Sequence, residues 1–234
     1  MATQRPFSVN FRAPLLTPST SSSERYTLDR TLVIETTTNA CSVALFAGDD
    51  LIDERSEQIG RGHAERLIPM IAELMDGGRA ARILVGCGPG SFTGIRVGVA
   101  AARALGLGWG ADVSGYSTMA LYAATGFADA PDATELVVAL VGGHGELFVQ
   151  HFAAAPFLPM GEVASLVPQA ATQFCSANYV IGSAAESFVA VAGHGSCIPC
   201  EIAARDVRFL PPTFKQLQPS PIYVRGADAK PLHD

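Results

Sequence analysis

The stretch Gly88-Pro89-Gly90-Ser91-Phe92-Thr93-Gly94-Ile95-Arg96 constrains this chain more than any other. A β-prone run, Ile83-Leu84-Val85-Gly86, precedes it, and a helix-prone run continues to Trp109. The pattern predicts strand, glycine loop, helix. Glycines let backbone groups approach a ligand or another segment, and Ser91 or Thr93 can cap the following helix. A helix N-terminus also attracts anions. Yet the loop matches no common signature. It has no lysine to close a Walker loop, and no third glycine of the dinucleotide pattern at Ser91 or Thr93. Pro89 stands where a nucleophile elbow has glycine. A ligand loop and a plain tight turn both stay open from local pattern alone.

Around this loop the chain reads as two similar units. Strands are predicted over 31–35, 41–47 and 51–57. The polar turns Thr36-Thr37-Thr38-Asn39 and Gly48-Asp49-Asp50 join them into an antiparallel meander. A helix follows over 63–75. Its apolar residues form two adjacent stripes, Leu67, Met70, Ile71 and Leu74, then Ile68, Ala72 and Met75. Together they span about 200°, wider than the ~100° one core requires, so part of the arc needs a second partner. The helix after the glycine loop is apolar around most of its circumference. Gly94, Gly98, Ala102 and Gly106 recur every fourth residue, a ridge on which another backbone can dock. A strand over 113–116 and a helix over 118–124 close the first unit. The second has strands over 136–141, 146–152 and 179–181, and helices over 168–174 and 183–191. Beyond Val207 the prolines at 211, 212, 219, 221 and 231 predict an extended tail on the surface.

Charged residues are only 16% of the 234, against the usual ~25%, so part of the surface is expected to face another protein. A net charge of −6 argues against a generic nucleic-acid binder. Five cysteines without framework spacing point to a reducing compartment, and the cytoplasm is the expected location. No uncharged apolar run reaches the ~20 residues of a membrane helix. Residues 1–29, with a Ser/Thr-rich run over 19–23, are expected to be a disordered extension. The division expected is 30–110 for an N-terminal lobe, 111–210 for a C-terminal lobe and 211–234 for the proline-rich tail.

A meander, a helix, a strand, a glycine loop and a second helix, followed by a second β-rich half, suggest a duplicated ribonuclease-H-like lobe. The run from Ile34-Glu35-Thr36-Thr37-Thr38-Asn39-Ala40-Cys41-Ser42 to Leu45, the loop from Gly88 to Arg96, and His63 followed by Leu67-Ile68-Pro69-Met70-Ile71 resemble the TsaB (YeaZ) family. The resemblance is strong over 31–120, weaker to about 150, and returns at Pro221-Ile222-Tyr223-Val224-Arg225. It implies an α/β fold of two lobes in the actin-like, sugar-kinase-like (ASKHA) superfamily. It also implies a noncatalytic subunit that dimerises with the catalytic subunit TsaD in the synthesis of threonylcarbamoyladenosine beside the tRNA anticodon. A TsaE-like ATPase joins that assembly, and a separate enzyme supplies threonylcarbamoyl-adenylate. ATP, ADP and metal are then expected on the partner subunits and tRNA only through the complex, with a homodimer as the state of the lone chain.

The resemblance places a degenerate phosphate loop at Glu35, Thr36, Thr37, Thr38 and Asn39, and the glycine loop at Gly88, Pro89, Gly90, Ser91, Thr93 and Gly94. It places the partner interface at His63, Leu67, Met70, Ile71, Arg96, Gly98 and Ala102. Three departures stand out. Glu35 replaces the family's usual aspartate. Val141-Gly142-Gly143-His144 replaces an Asp-Ala-Arg-like segment before Gly145-Glu146. Residues 182–220 follow no family pattern. TsaD binds metal partly through two histidines four apart on one helix, and none of His63, His144, His151, His194 and His233 forms such a pair. His194, Cys197 and Cys200, with Cys175, are the remaining metal candidates, against incidental cysteines in a glycine-bounded loop. The competing functions are a stand-alone ATP-dependent transferase or TsaD-like metallopeptidase, and a self-associating structural protein.

Overall fold

The computed structural model describes residues 29–224. The extension expected over 1–29 lies, apart from Asp29, outside the described residues, as do Arg225 and Pro231. Five strands form the first sheet: β1 (Arg30–Glu35), β2 (Ala40–Ala47), β3 (Asp50–Gln58), β4 (Arg82–Gly86) and β5 (Asp112–Tyr116). Their order is β3-β2-β1-β4-β5, antiparallel across the meander and parallel from β1 to β5. Helix α1 (His63–Ala72) links β3 to β4, and α2 (Phe92–Trp109) links β4 to β5. Helix α3 (Thr118–Asp129) leads to the second sheet.

The second sheet repeats the plan. Its strands are β6 (Glu135–Val141), β7 (Leu147–Ala154), β8 (Phe157–Pro159), β9 (Ala164–Leu166), β10 (Tyr179–Ile181) and β11 (Ser196–Ile198). The order β8-β7-β6-β10-β11 matches the first sheet strand for strand, with β9 also on β7. Helices α4 (Pro168–Phe174) and α5 (Ala185–Ala192) occupy the places of α1 and α2. The fold is thus the duplicated, two-lobed α/β architecture expected of the ASKHA superfamily.

Strand periodicity explains the layering, because successive side chains point to opposite faces. Leu32 and Ile34 of β1 join Leu67, Met70 and Ile71 of α1 and Ile95, Val99 and Ala102 of α2 in an outer core. Val33, between them, points the other way, into a central core with Tyr116, Met119 and Leu121. That core also contains Leu136, Val138 and Phe152 of the second sheet. Helix α3 is buried on all sides from Thr118 to Gly126, as its predominantly apolar sequence there requires. Val137, Val149, Val180, Ala171 and Phe188 form a third core under α4 and α5. The edge strand β3, rich in Asp, Glu and Arg, is half exposed, which discourages edge-to-edge pairing.

Several boundaries differ from the sequence expectation. Strand β5 belongs to the first sheet, whereas a division at residue 110 puts it in the second lobe. Helix α1 stops at Ala72, and a short 3-10 turn, Met75–Gly78, carries Asp76 at φ 53 and Gly77 at φ 65. Such left-handed geometry cannot continue an α-helix. Beyond a 3-10 segment, Ala204–Phe209, the tail crosses from one lobe to the other. Phe214 meets Phe157 edge-on at 4.8 Å, Leu217 exchanges backbone hydrogen bonds with Gly115, and the Ile222 N–H donates to the Cys87 carbonyl at 2.8 Å.

Candidate functional site

The turn after β1 and the glycine loop after β4 lie side by side. Glu35 is fully buried at the end of β1. Its Oε1 accepts from the Thr37 N–H at 2.6 Å, and its Oε2 lies 2.8 Å from the Tyr116 hydroxyl. Burial drives the carboxyl pKa upward, and the hydrogen bonds from Thr37 and Tyr116 only partly oppose this. Burial, and then the adjacent Glu35, raise the Tyr116 phenol well above its usual value. A neutral arrangement satisfies every group. Protonated, Oε2 would donate to the Tyr116 oxygen and free that hydroxyl to donate to the Ile34 carbonyl at 3.3 Å; ionised, it accepts from the Tyr116 hydroxyl instead.

The remaining polar groups of the turn are engaged by the chain itself. Thr36 Oγ1 donates to the Gly94 carbonyl at 2.7 Å. The Thr37 carbonyl accepts from the Ser91 N–H at 2.7 Å, and Thr118 Oγ1 donates to Thr37 Oγ1 at 2.9 Å. Thr38 Oγ1 accepts from the Ala40 N–H, and only Asn39 is exposed. A Cβ on Gly90 would collide with the Thr37 carbonyl oxygen, and one on Gly94 with that of Thr36. These glycines are required because two backbones of the same chain touch here. The expected degenerate phosphate loop is thus occupied by hydrogen bonds and contacts from the chain itself. Ser91 caps α2, accepting from the Gly94 N–H at 3.2 Å. Gly88, at φ 96, turns the chain so that its carbonyl accepts from the Thr118 N–H.

Most of the expected partner interface is likewise engaged within the chain. His63 is buried, and its Nε2 lies 3.1 Å from the Thr38 carbonyl and 3.2 Å from that of Ala40. Carbonyls only accept, so Nε2 carries the proton and His63 pins the β1–β2 hairpin. Leu67, Met70, Ile71 and Ala102 pack into the outer core. Gly98 and the rest of the small-residue ridge face the chain's own sheet, with Thr36, Val85 and Ile34 over Gly98 and Val113 over Gly106. Of the seven residues, only Arg96 is exposed.

The open surface lies on the other stripes. On α1, Ile68 is 49% exposed, and Met75 just beyond the helix is 48% exposed. On α2, Phe92, Thr93, Arg96, Ala100, Arg103, Ala104 and Leu107 are exposed, with Leu107 at 89%. At 100° per residue they share an arc of about 120°. The second stripe of α1 signals this face in the sequence, but the small residues of α2 point away from it.

The metal candidates do not converge. Cys197 and Cys175 pack in the outer core of the second lobe, and Cys200 packs against the central core. His194 lies on the surface, its Nδ1 donating to the Ala192 carbonyl at 3.0 Å and its Nε2 3.1 Å from the Ser176 hydroxyl. Among the described residues no three His, Cys, Asp or Glu side chains are placed to hold a metal ion. No described helix is long and apolar enough to cross a membrane.

With this geometry in hand, likeness to known proteins becomes specific. The family described as TsaD: tRNA N6-adenosine threonylcarbamoyltransferase matches residues 56–181, just over half of the chain. The tRNA threonylcarbamoyladenosine biosynthesis protein TsaB of Escherichia coli (strain K12) is 34% identical over 124 residues, covering 51% of this chain and 53% of that protein. The protein of the same name from Haemophilus influenzae is 40% identical over 89 residues, covering 35% and 36%. The chain thus spans about half the length, or less, of these curated relatives. The structure of YeaZ from Pseudomonas aeruginosa superposes with a TM-score of 0.71 at 23% identity, over 84% of this chain and all of that one, and shares the fold. Matching strand order in both lobes, the glycine loop seated on the first turn and these relatives agree: the chain belongs to the TsaB (YeaZ) branch of the TsaD-type family.

Proposed function

We propose that this chain is a noncatalytic TsaB-type subunit that pairs with a TsaD-type catalytic subunit in making threonylcarbamoyladenosine in tRNA. The observation that carries the reading is the pairing of a filled first-lobe turn with an open helical face. Glu35, Thr36 and Thr37 are buried and hydrogen-bonded within the chain, so they offer no ready cradle for a metal–phosphate group. Meanwhile Ile68 of α1, Met75 just beyond it and Leu107 of α2 are open to solvent, a surface suited to a partner's helices. His63 lies on α1, His151 on β7 and His194 beyond the end of α5, which favours a partner role over a TsaD-like metal enzyme.

In this reading the TsaD-type partner supplies metal and catalytic groups, and a TsaE-type ATPase joins the assembly. tRNA binds through the complex, consistent with a net charge of −6 on this subunit. The cytoplasm, where tRNA is modified, is the location that follows. The test is reconstitution of tRNA threonylcarbamoylation with TsaD-type and TsaE-type subunits from the same genome, with and without this chain. Modification should depend on the chain, while the chain alone should turn over no ATP. Full modification without it, or ATP turnover by the lone chain that is lost in Glu35→Gln, would overturn the proposal.

A further inference from the structure

Arg96 stands on the first turn of α2 and is held by two rings from distant parts of the sequence. Its guanidinium carbon lies 3.6 Å from the centroid of the Phe92 ring. Its Nε donates to the Tyr223 hydroxyl at 3.0 Å, and the Phe92 and Tyr223 centroids are 5.9 Å apart. Phe92 is 57% and Tyr223 52% exposed, so the clamp sits on the surface rather than in a core. Arginine on a surface ordinarily samples many rotamers, and both side-chain entropy and water work against its use in binding. Here a cation–π contact and a hydrogen bond fix the group in advance. Among the described residues the hydrogen bond to Tyr223 uses Nε, and the Nη side of the fork has no hydrogen-bond partner. Neither Arg96 nor Arg103 forms an ion pair among the described residues.

Helix α2 itself carries charge of one sign, while acidic Glu65 and Glu73 lie on and just beyond α1. Helix α2 carries no acidic residue in its 18 positions, and its only charges are Arg96 and Arg103. They lie two turns apart on the exposed arc, with Ala100 between them and Leu107 beyond. In a chain of net charge −6 this is a local cationic, apolar stripe. A second copy would bring the same positive stripe to an α2–α2 contact, whereas an acidic partner helix would complement it. The Nη edge of a planar guanidinium fits a carboxylate through two parallel hydrogen bonds.

We infer that Phe92, Arg96 and Tyr223 form a preorganised anchor for a carboxylate side chain of the TsaD-type partner, completed by the C-terminal tail. The inference rests on the partner reading above and adds the chemistry that selects the partner. The tail becomes part of the docking surface: Tyr223 reaches α2 because Leu217 and Ile222 are tied to Gly115 and Cys87 by backbone hydrogen bonds.

The experiment is calorimetric titration of the full chain against the TsaD-type subunit at two salt concentrations. The variants are Arg96→Gln, Arg96→Lys, Tyr223→Phe and Arg103→Gln, each checked by circular dichroism melting. Arg96→Gln should weaken binding at least tenfold and flatten its salt dependence. Lysine should restore only part of the loss, because it cannot form the fork. Tyr223→Phe keeps the ring but frees the guanidinium, and should weaken binding severalfold with an unchanged melt. Should Arg96→Gln fold poorly, Tyr223→Phe decides the matter by the same criterion. No binding by the wild-type chain would remove the partner reading and this inference with it. Wild-type binding that is indifferent to Arg96→Gln, or to Tyr223→Phe where that variant decides, would leave the partner reading standing and overturn the anchor alone. An Arg96→Gln effect confined to self-association in sedimentation, or to tRNA binding, would also overturn it, assigning the stripe to a second copy or to phosphate.

Discussion

Glu35 is a carboxylic acid with no exposed surface, facing a tyrosine hydroxyl and one backbone N–H. Its folded pKa is raised, so the native state holds the proton more tightly than the unfolded chain does. That contribution is complete below the unfolded carboxyl value of about 4.3 and is lost as pH rises through the folded value. Glutamine keeps the acceptor for Thr37 and a donor for Tyr116 but cannot ionise. The melting temperature of Glu35→Gln relative to wild type should therefore climb between pH 4 and pH 8. Parallel melting curves across that range would show that Glu35 is not the group responsible. Gly94 makes a different prediction. Alanine there would put a methyl group onto the Thr36 carbonyl in a segment tied by the Ser91–Thr37 and Thr36–Gly94 hydrogen bonds. Overpacking of this kind should cost about 3 kcal/mol, the upper part of the usual range, read by urea unfolding. A loss under about 1 kcal/mol would mean that the loop relaxes freely.

Among the elements, α1 and α2 show how far a sequence can be read. The over-wide apolar arc of α1 foretold two faces, and the structure buries Leu67, Met70 and Ile71 while exposing Ile68 and Met75. Periodicity gives the angle between stripes but not which one meets the sheet, and here the stripe expected at the interface packs on the chain's own sheet. The ridge of Gly94, Gly98, Ala102 and Gly106 behaves likewise. Small residues mark a close approach of backbones, and here the approaching backbone and side chains belong to the same chain. Gly98→Leu should consequently damage folding before it affects any partner, since Thr36 fills the space beside Gly98. The strands β8, β9 and β11 are three residues long, too short for alternation to show, and unlike the equally short β10 with Val180-Ile181 they carry no adjacent β-branched pair. The informative element-scale substitution is Leu107→Glu on the exposed arc. It should leave the melting temperature within a few degrees of wild type and weaken binding to a TsaD-type subunit at least tenfold, about 1.4 kcal/mol. Unchanged affinity in the titration would move the docking surface off α2.

Across the whole molecule, the question is whether two lobes of matching topology behave as two domains. Their shared core says otherwise. Val33, Ala44 and Leu84 from the first sheet and Leu136, Val138 and Phe152 from the second belong to one cluster, with α3 between them. Met119 and Leu121 of α3 are fully buried at that junction. Ser42 of β2 accepts from the Ala204 N–H at 2.9 Å, and the tail spans the same boundary from Phe157 to Gly115. Separating the lobes would expose this entire cluster, so neither can lose its structure without cost to the other. Heat should therefore unfold the chain in one transition, with calorimetric and van't Hoff enthalpies equal. Met119→Ala lies at the centre of the junction and should cost about 2–5 kcal/mol, the range for emptying such a site. It should shift that single transition downward as a whole. Two resolved transitions in wild type, or a Met119→Ala melt in which one step moves and another stays, would show that the lobes fold independently and that α3 belongs to only one of them.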